Sequence, residues 1–269
     1  GSFTGSYRAT KEEFLINKID ENKLLKSNNL ETNYQDSELP ETTILTKING
    51  VDGKYNLKGE LKEPFKKGRL NIDKVTYIKD LKLYYQIEKS GLGEYKEDGS
   101  PSQKIELGLD VPRFSWPKGI SYNKDTHHLA VVTSHVYSYF YDYDLKLKKW
   151  TAKKLGRDKG YSDISYDEHA KNYILISKSH GKSQVTLSFL DNDGKLLRKE
   201  EIPLKNLTGF EDLYDPDNGP APKMNIFAKK DHIVITVQAG RRSFSSDTAR
   251  IYLYDKKSKK VSLTWFAKK

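Results

Sequence analysis

The feature that most constrains this chain is a hairpin written several times over. YDYDLKLKKW from Tyr141, FLDNDGKLLRK from Phe189 and YLYDKKSKKVS from Tyr252 each place an aromatic or apolar residue before an Asp, then a short turn, then lysines and another apolar residue. Aligned on the turn, Asp144, Asp191 and Asp255 are 47 and 64 residues apart, and backward steps of 46 reach Asp98 and Asp52. The long step contains an extra stretch, LTGFEDLYDPDNGPAP at 207–222, whose removal brings it near the others. A second marker runs ahead of the hairpins. VTYIKDLKLYYQI (75–87), ISYNKDTHHLAVV (120–132), ISYDEHAKNYILI (164–176) and NIFAKKDHIVITV (225–237) each read as short strand, polar turn, apolar strand. Their aromatic anchors Tyr77, Tyr122, Tyr166 and Phe227 are 45, 44 and 61 residues apart, so two markers keep one beat.

A unit of about 45 residues holding four short strands cannot bury both faces of its sheet alone, and stacking each unit on the next solves that problem. Composition agrees: apolar residues make up 36%, while Tyr (18) and Phe (10) are plentiful, which suits many half-exposed strands. From about residue 40 to the end the chain resembles the β-propeller superfamily, without a WD dipeptide or a kelch glycine pair. The resemblance implies an all-β ring of four-stranded blades. Five outer hairpins against four clear inner pairs predict five blades, with EEFLINKI (12–19) and TTILTKI (42–48) supplying the missing strands; the alternative is four blades with an N-terminal cap. Residues 1–40 read as an arm or partial blade opening on GSFT, which looks like a cloning scar, and 41–269 as the propeller.

The formal net charge is +10, from 47 basic and 37 acidic residues. In a propeller the fourth strand of each blade is outermost and leaves an unpaired edge, where Lys discourages pairing with another sheet. Lys146, Lys148, Lys149, Lys195, Lys256, Lys257, Lys259 and Lys260 fit that task. This accounts for much of the charge and argues against a nucleic-acid partner. No window approaches the roughly 18 apolar residues of a membrane span, so a soluble chain is expected. Cysteine is missing, which excludes disulfides and thiol chemistry. With no apolar leader at its start, the chain reads as the interior of a longer precursor, and an extracytoplasmic place, periplasmic, surface-anchored or secreted, is the expectation.

The resemblance also implies where a ligand would dock: on the face where each blade's second-to-third loop and the connections between blades emerge. Second-to-third loops carry His135 and His180, 45 residues apart, and Arg241 with Arg242. Acting together, two His and two Arg would hold a carboxylate or phosphate. Connections between blades carry Arg113, Trp116, Arg157 and Tyr161, with Trp116 either a stacking platform or a plug between blades. In the 207–222 stretch, Asp215 and Asp217 stand at alternate positions before a Gly, like part of a calcium loop but without its later acid. No other metal set and no cofactor are indicated. The chain has no G-x-S-x-G, H-E-x-x-H or P-loop. The expectation is therefore a non-enzymatic binding or scaffold propeller that recognises a protein or glycan, anionic where the His/Arg set acts. The alternative is a hydrolase or lyase acting on an anionic or glycan substrate, with Asp163, Glu211 and Asp212 drawn to the channel mouth.

Overall fold

A computed structural model describes residues 39–178, 185–202, 223–238 and 249–267. Among these the chain is all-β, with five antiparallel sheets and a single 3-10 turn at Ile72–Lys74. The first sheet holds β1 (Thr43–Ile48), β2 (Val51–Asn56) and β3 (Leu61–Pro64), and the second β4 (Val75–Ile78), β5 (Leu83–Glu88), β6 (Gly91–Lys96) and β7 (Pro101–Glu106). The third is built from β8 (Pro117–Asn123), β9 (His128–Ser134), β10 (Tyr137–Asp144) and β11 (Lys149–Arg157). The fourth contains β12 (Tyr161–Asp167), β13 (Asn172–Lys178), β14 (Val185–Leu190) and β15 (Leu196–Ile202). The fifth comprises β16 (Lys223–Ala228), β17 (His232–Gln238), β18 (Arg250–Asp255) and β19 (Val261–Phe266). Each is a meander, so every strand pairs with its chain neighbour.

The sheets are the blades of a five-bladed β-propeller. Each blade interface is filled by its own apolar cluster. Phe65 and Leu45 of the first blade pack with Tyr84 and Tyr95 of the second. Ile87 and Leu92 meet Val131 and Tyr141, and Phe140 meets Tyr173. Ile176 and Leu187 meet Ile226 and Ile235, while Ile44 and Leu57 meet Val234 and Ile251, closing the ring. Strand alternation supplies this directly, since successive residues of a central strand face opposite neighbouring blades.

The first blade departs from the expected period. Thr46 pairs Gly53 and Tyr55 pairs Leu61, just as Gln86 pairs Gly93 and Tyr95 pairs Pro101, with the same register shift before each Tyr. Equivalent positions are thus 40 residues apart, and β1–β3 match the second to fourth strands of the next blade. Asp52 lies inside β2 and is not the turn residue the 46-residue step assigned to it. The turn is at Asn56, whose Oδ1 accepts the N–H groups of Lys58 and Glu60 at 3.0 and 2.9 Å. Asp144, Asp191 and Asp255 do the same in their own turns, which is why a short side chain with an acceptor oxygen recurs there. The described part of the first blade is three-stranded, and β1 lines the channel.

Candidate functional site

Strands β1, β4, β8, β12 and β16 enclose a central cavity of about 370 Å³. The inner strands are stitched together by side chains that take a backbone N–H from the next blade. Ser121 Oγ accepts from Tyr166 N at 2.8 Å, and Ser165 Oγ accepts from Ala228 N at 3.0 Å. Thr76 stands at the same repeat position in β4 and also lines the cavity. Asp163 is a buried version of this stitch. Its Oδ1 accepts from Ile164 N at 2.8 Å, and its Oδ2 from Ile226 N at 2.9 Å and Asn225 Nδ2 at 3.3 Å. Burial pushes this carboxyl up to about 7, against the pull of those donors and of Lys223. Gly119 occupies the position of Asp163 one blade earlier, and a Cβ there would lie 2.2 Å from Asp163 Oδ1.

Several lysines lie in or near the same region. Lys223 at the start of β16 pairs with Asp73 of the 3-10 turn. Lys229 lines the cavity, donates to the Thr43 carbonyl at 3.1 Å, and has its pKa lowered by burial. Gln238 Nε2 donates to the Lys47 carbonyl, so side chains from the fifth blade take two of the carbonyls on β1. Burial also holds Lys178, at the end of β13, down to about 7, and lowers Lys118, whose neighbour Lys74 adds to the effect.

The loop-bearing face gathers part of the expected set on the third blade. Trp116 and His135 stack, with ring centroids 5.5 Å apart and planes 14° from parallel, and Ser115 Oγ lies 3.2 Å from His135 Nδ1. Ser134 N donates to the Trp116 carbonyl at 3.0 Å, and Asp158 N to the Val136 carbonyl at 3.0 Å, which ties three loops together. Arg157 pairs across the strands with Tyr137, whose ring carries Lys154 Nζ at 3.7 Å, and Lys118 Nζ lies 5.4 Å from the Trp116 ring. Arg113 is exposed; its carbonyl and that of Pro112 are held by the Tyr141 hydroxyl, and Phe114 anchors the same loop against Tyr141 and Trp150. Tyr161 is 6% exposed and packs in the core between the third and fourth blades, so its ring belongs to the interface and not to the surface. His180, Arg241, Arg242, Asp215 and Asp217, with Glu211 and Asp212, lie outside the described residues. Among the described residues no group of three or more His, Asp or Glu could hold a metal ion. No helix among them is long and apolar enough to cross a membrane.

A His–Asp contact between strands recurs at one repeat position. His128 and His232 both open the second strand of a blade, and each reaches the Asp that closes the third. The distances are 3.2 Å to Asp144 and 3.5 Å to Asp255, and His128 Nδ1 also meets Asp142 at 2.8 Å. Shared repeat position was the available signal.

No family model and no curated protein matches the sequence. Solved structures with a similar course of the chain include the WD40 domain of Neurospora crassa Pan2, 13% identical over 81% of this chain and 60% of that one, with a TM-score of 0.47. The nidogen/laminin complex is 13% identical over 78% and 70%, with a TM-score of 0.48. A protein of unknown function from Bacteroides caccae is 12% identical over 80% and 69%, with a TM-score of 0.44. The chain thus spans 60% of the first of these. At such values the likeness says nothing of a ligand.

Proposed function

We propose that this chain is a non-enzymatic binding propeller acting outside the cytoplasm, and that it recognises a protein partner through the loop-bearing face of its third blade. The observation that carries the reading is Trp116. It is 58% exposed and has a left-handed backbone, φ 54°. That region costs a residue with a Cβ roughly 1–2 kcal/mol, and such outliers gather at functional positions. Here the fold sustains the cost to point an indole outward beside exposed Val136 and Tyr137. Trp, Tyr and Arg are the residues that dominate protein-binding energetics, and Lys118 and Lys154, beside the Arg157–Asp158 pair, give the rim a positive sign that favours an acidic partner. The channel carboxylates support a non-enzymatic role: Asp73 is paired with Lys223, and both oxygens of Asp163 are occupied by N–H donors. A glycan stacked on the indole would use the same residue.

The test compares the wild-type chain with Trp116→Ala, immobilised and challenged with cell-envelope proteins and with a panel of soluble glycans. A protein retained by the first and lost by the second is expected. Identical retention by both chains, or glycan binding without a protein, would overturn the reading. Fractionation of producing cells addresses the compartment, and recovery in the cytoplasm alone would sink that part.

A further inference from the structure

We infer that the central channel is a binding site for a small oxyanion, a carboxylate or phosphate group held by Lys229 and the hydroxyls of Ser121 and Ser165. This site is separate from the face of Trp116 and does not depend on the role assigned to it. The argument is an accounting of what the cavity's side chains have left to offer once their internal bonds are counted.

The hydroxyls of Ser121 and Ser165 accept a backbone N–H from the next blade, as described above, and among the described residues neither donates its own hydrogen. Each oxygen is fixed by its acceptor bond, so the O–H can turn only towards the remaining directions, and both residues line the cavity. Thr76 repeats the position on β4, which places three hydroxyls at one level of the ring. Lys229 lies one residue beyond Ala228, whose N–H binds Ser165, so its ammonium enters the cavity close to that level. It makes one bond, to the Thr43 carbonyl, and among the described residues it meets no carboxylate within ion-pair distance. A half-buried ammonium with one neutral acceptor has two N–H groups and a full charge uncompensated.

Both carboxylates of the cavity already have partners. Asp73 Oδ1 is paired with Lys223 and Asp163 accepts from three N–H donors, while the cavity's other ammonium group, Lys54, has its own partner in Glu63 at 3.5 Å. What the cavity offers a ligand beside these paired groups is the hydroxyl donors and the positive charge of Lys229. A ligand of acceptors alone, carrying negative charge, satisfies both, and charge-assisted hydrogen bonds to an oxyanion are the strong kind. A volume of about 370 Å³ is at the small end of ligand pockets and fits a compact anion with ordered water. Lowering of the Lys229 pKa by burial is consistent with a charge that lacks its partner.

The test is isothermal titration of the full chain with inorganic phosphate and, separately, with succinate, at matched ionic strength. Saturable binding of at least one is expected. Lys229→Met should weaken it by about tenfold or more, and Ser121→Ala or Ser165→Ala by a smaller factor, since a bond to a charged group is stronger than one to a neutral hydroxyl. Lys148→Ala, far out on a hairpin, should leave it unchanged. Lys229→Met should also raise the melting temperature in anion-free buffer, because it removes an uncompensated charge, and should abolish the anion's stabilising shift. Absence of saturable binding with either probe, or binding that survives Lys229→Met undiminished, would overturn the site. Phosphate binding without succinate assigns a phosphate group, and the reverse a carboxylate. If Lys229→Met does not fold, Ser165→Ala and Lys229→Gln carry the same comparison.

Discussion

Asp163 holds two blades together with one carboxylate, and its chemistry makes stability depend on pH in a defined direction. Its pKa in the fold is pushed up to about 7, whereas an Asp in an unfolded chain titrates near roughly 4. The native state therefore binds the proton more tightly, and the contribution of this group is fully present below about pH 4 and is lost as pH rises through about 7. Melting temperature measured across that window should fall with rising pH, and Asp163→Asn should remove this component. The variant should also lose about 1–3 kcal/mol at low pH, because its NH₂ would face an N–H donor where an acceptor is needed. Left-handed turn residues give a second case. Gly59, Gly99 and Gly194 take positive φ at the last turn position before the outer strand, and Lys148 and Lys259 take it with φ 53° and 60°. Lys148→Gly should stabilise by about 1 kcal/mol while Lys148→Ala changes little, which chemical denaturation can resolve. Equal effects of Gly and Ala would mean the strain is not there.

Between elements, the lysines of the outer hairpins divide into two kinds. Lys146, Lys148, Lys149, Lys195, Lys257 and Lys260 are exposed, as expected of residues that guard an edge. Lys256 is not one of them: it turns inward, meets Asp167 Oδ2 at 2.5 Å and donates to the Lys230 carbonyl at 2.9 Å, tying the fifth blade to the fourth. Lys259 reaches Glu200 at 3.1 Å, beside the Tyr254 hydroxyl at 2.5 Å, and makes a second tie across the same interface. Asp167 is 2% exposed, so deleting its partner strands a buried charge. Lys256→Ala should cost about 3 kcal/mol or more and Lys257→Ala almost nothing, as compared by thermal melting. A repeat pattern that placed both lysines in one hairpin turn could not separate them, because the direction of a side chain towards the next blade is not a property of its own hairpin.

For the whole molecule, five apolar interfaces in a closed ring make each blade's stability depend on both neighbours. The closing interface joins the first and fifth blades, with Thr264 Oγ donating to the Leu57 carbonyl at 2.7 Å. Ile251→Ala, deep in that interface, should cost between about 2 and 5 kcal/mol and lower a single calorimetric transition. Separate melting of the first and last blades would show that closure does not couple them. Strands, turns and the five-blade count were legible in the sequence, because alternation, Asx turn chemistry and a period near 45 residues are written by local backbone physics repeated along the chain. The first blade was misplaced by six residues because Asp52 imitates a turn residue, whereas Gly53 and Tyr55 of β2 and Gly93 and Tyr95 of β6 carry the true offset of 40. The candidate site was legible only in part. Loop position alone brought Trp116 and His135 to one face, but nothing in the sequence showed that they stack, that Tyr161 turns into the core, or that Asp163 would receive the N–H of Ile226. Asp163 and Ile226 are 63 positions apart on neighbouring blades, and Tyr161 packs against residues of the blade before its own. The repeat determines that such neighbours exist, and only ring closure, by setting the angle and depth at which one blade meets the next, decides which atoms touch.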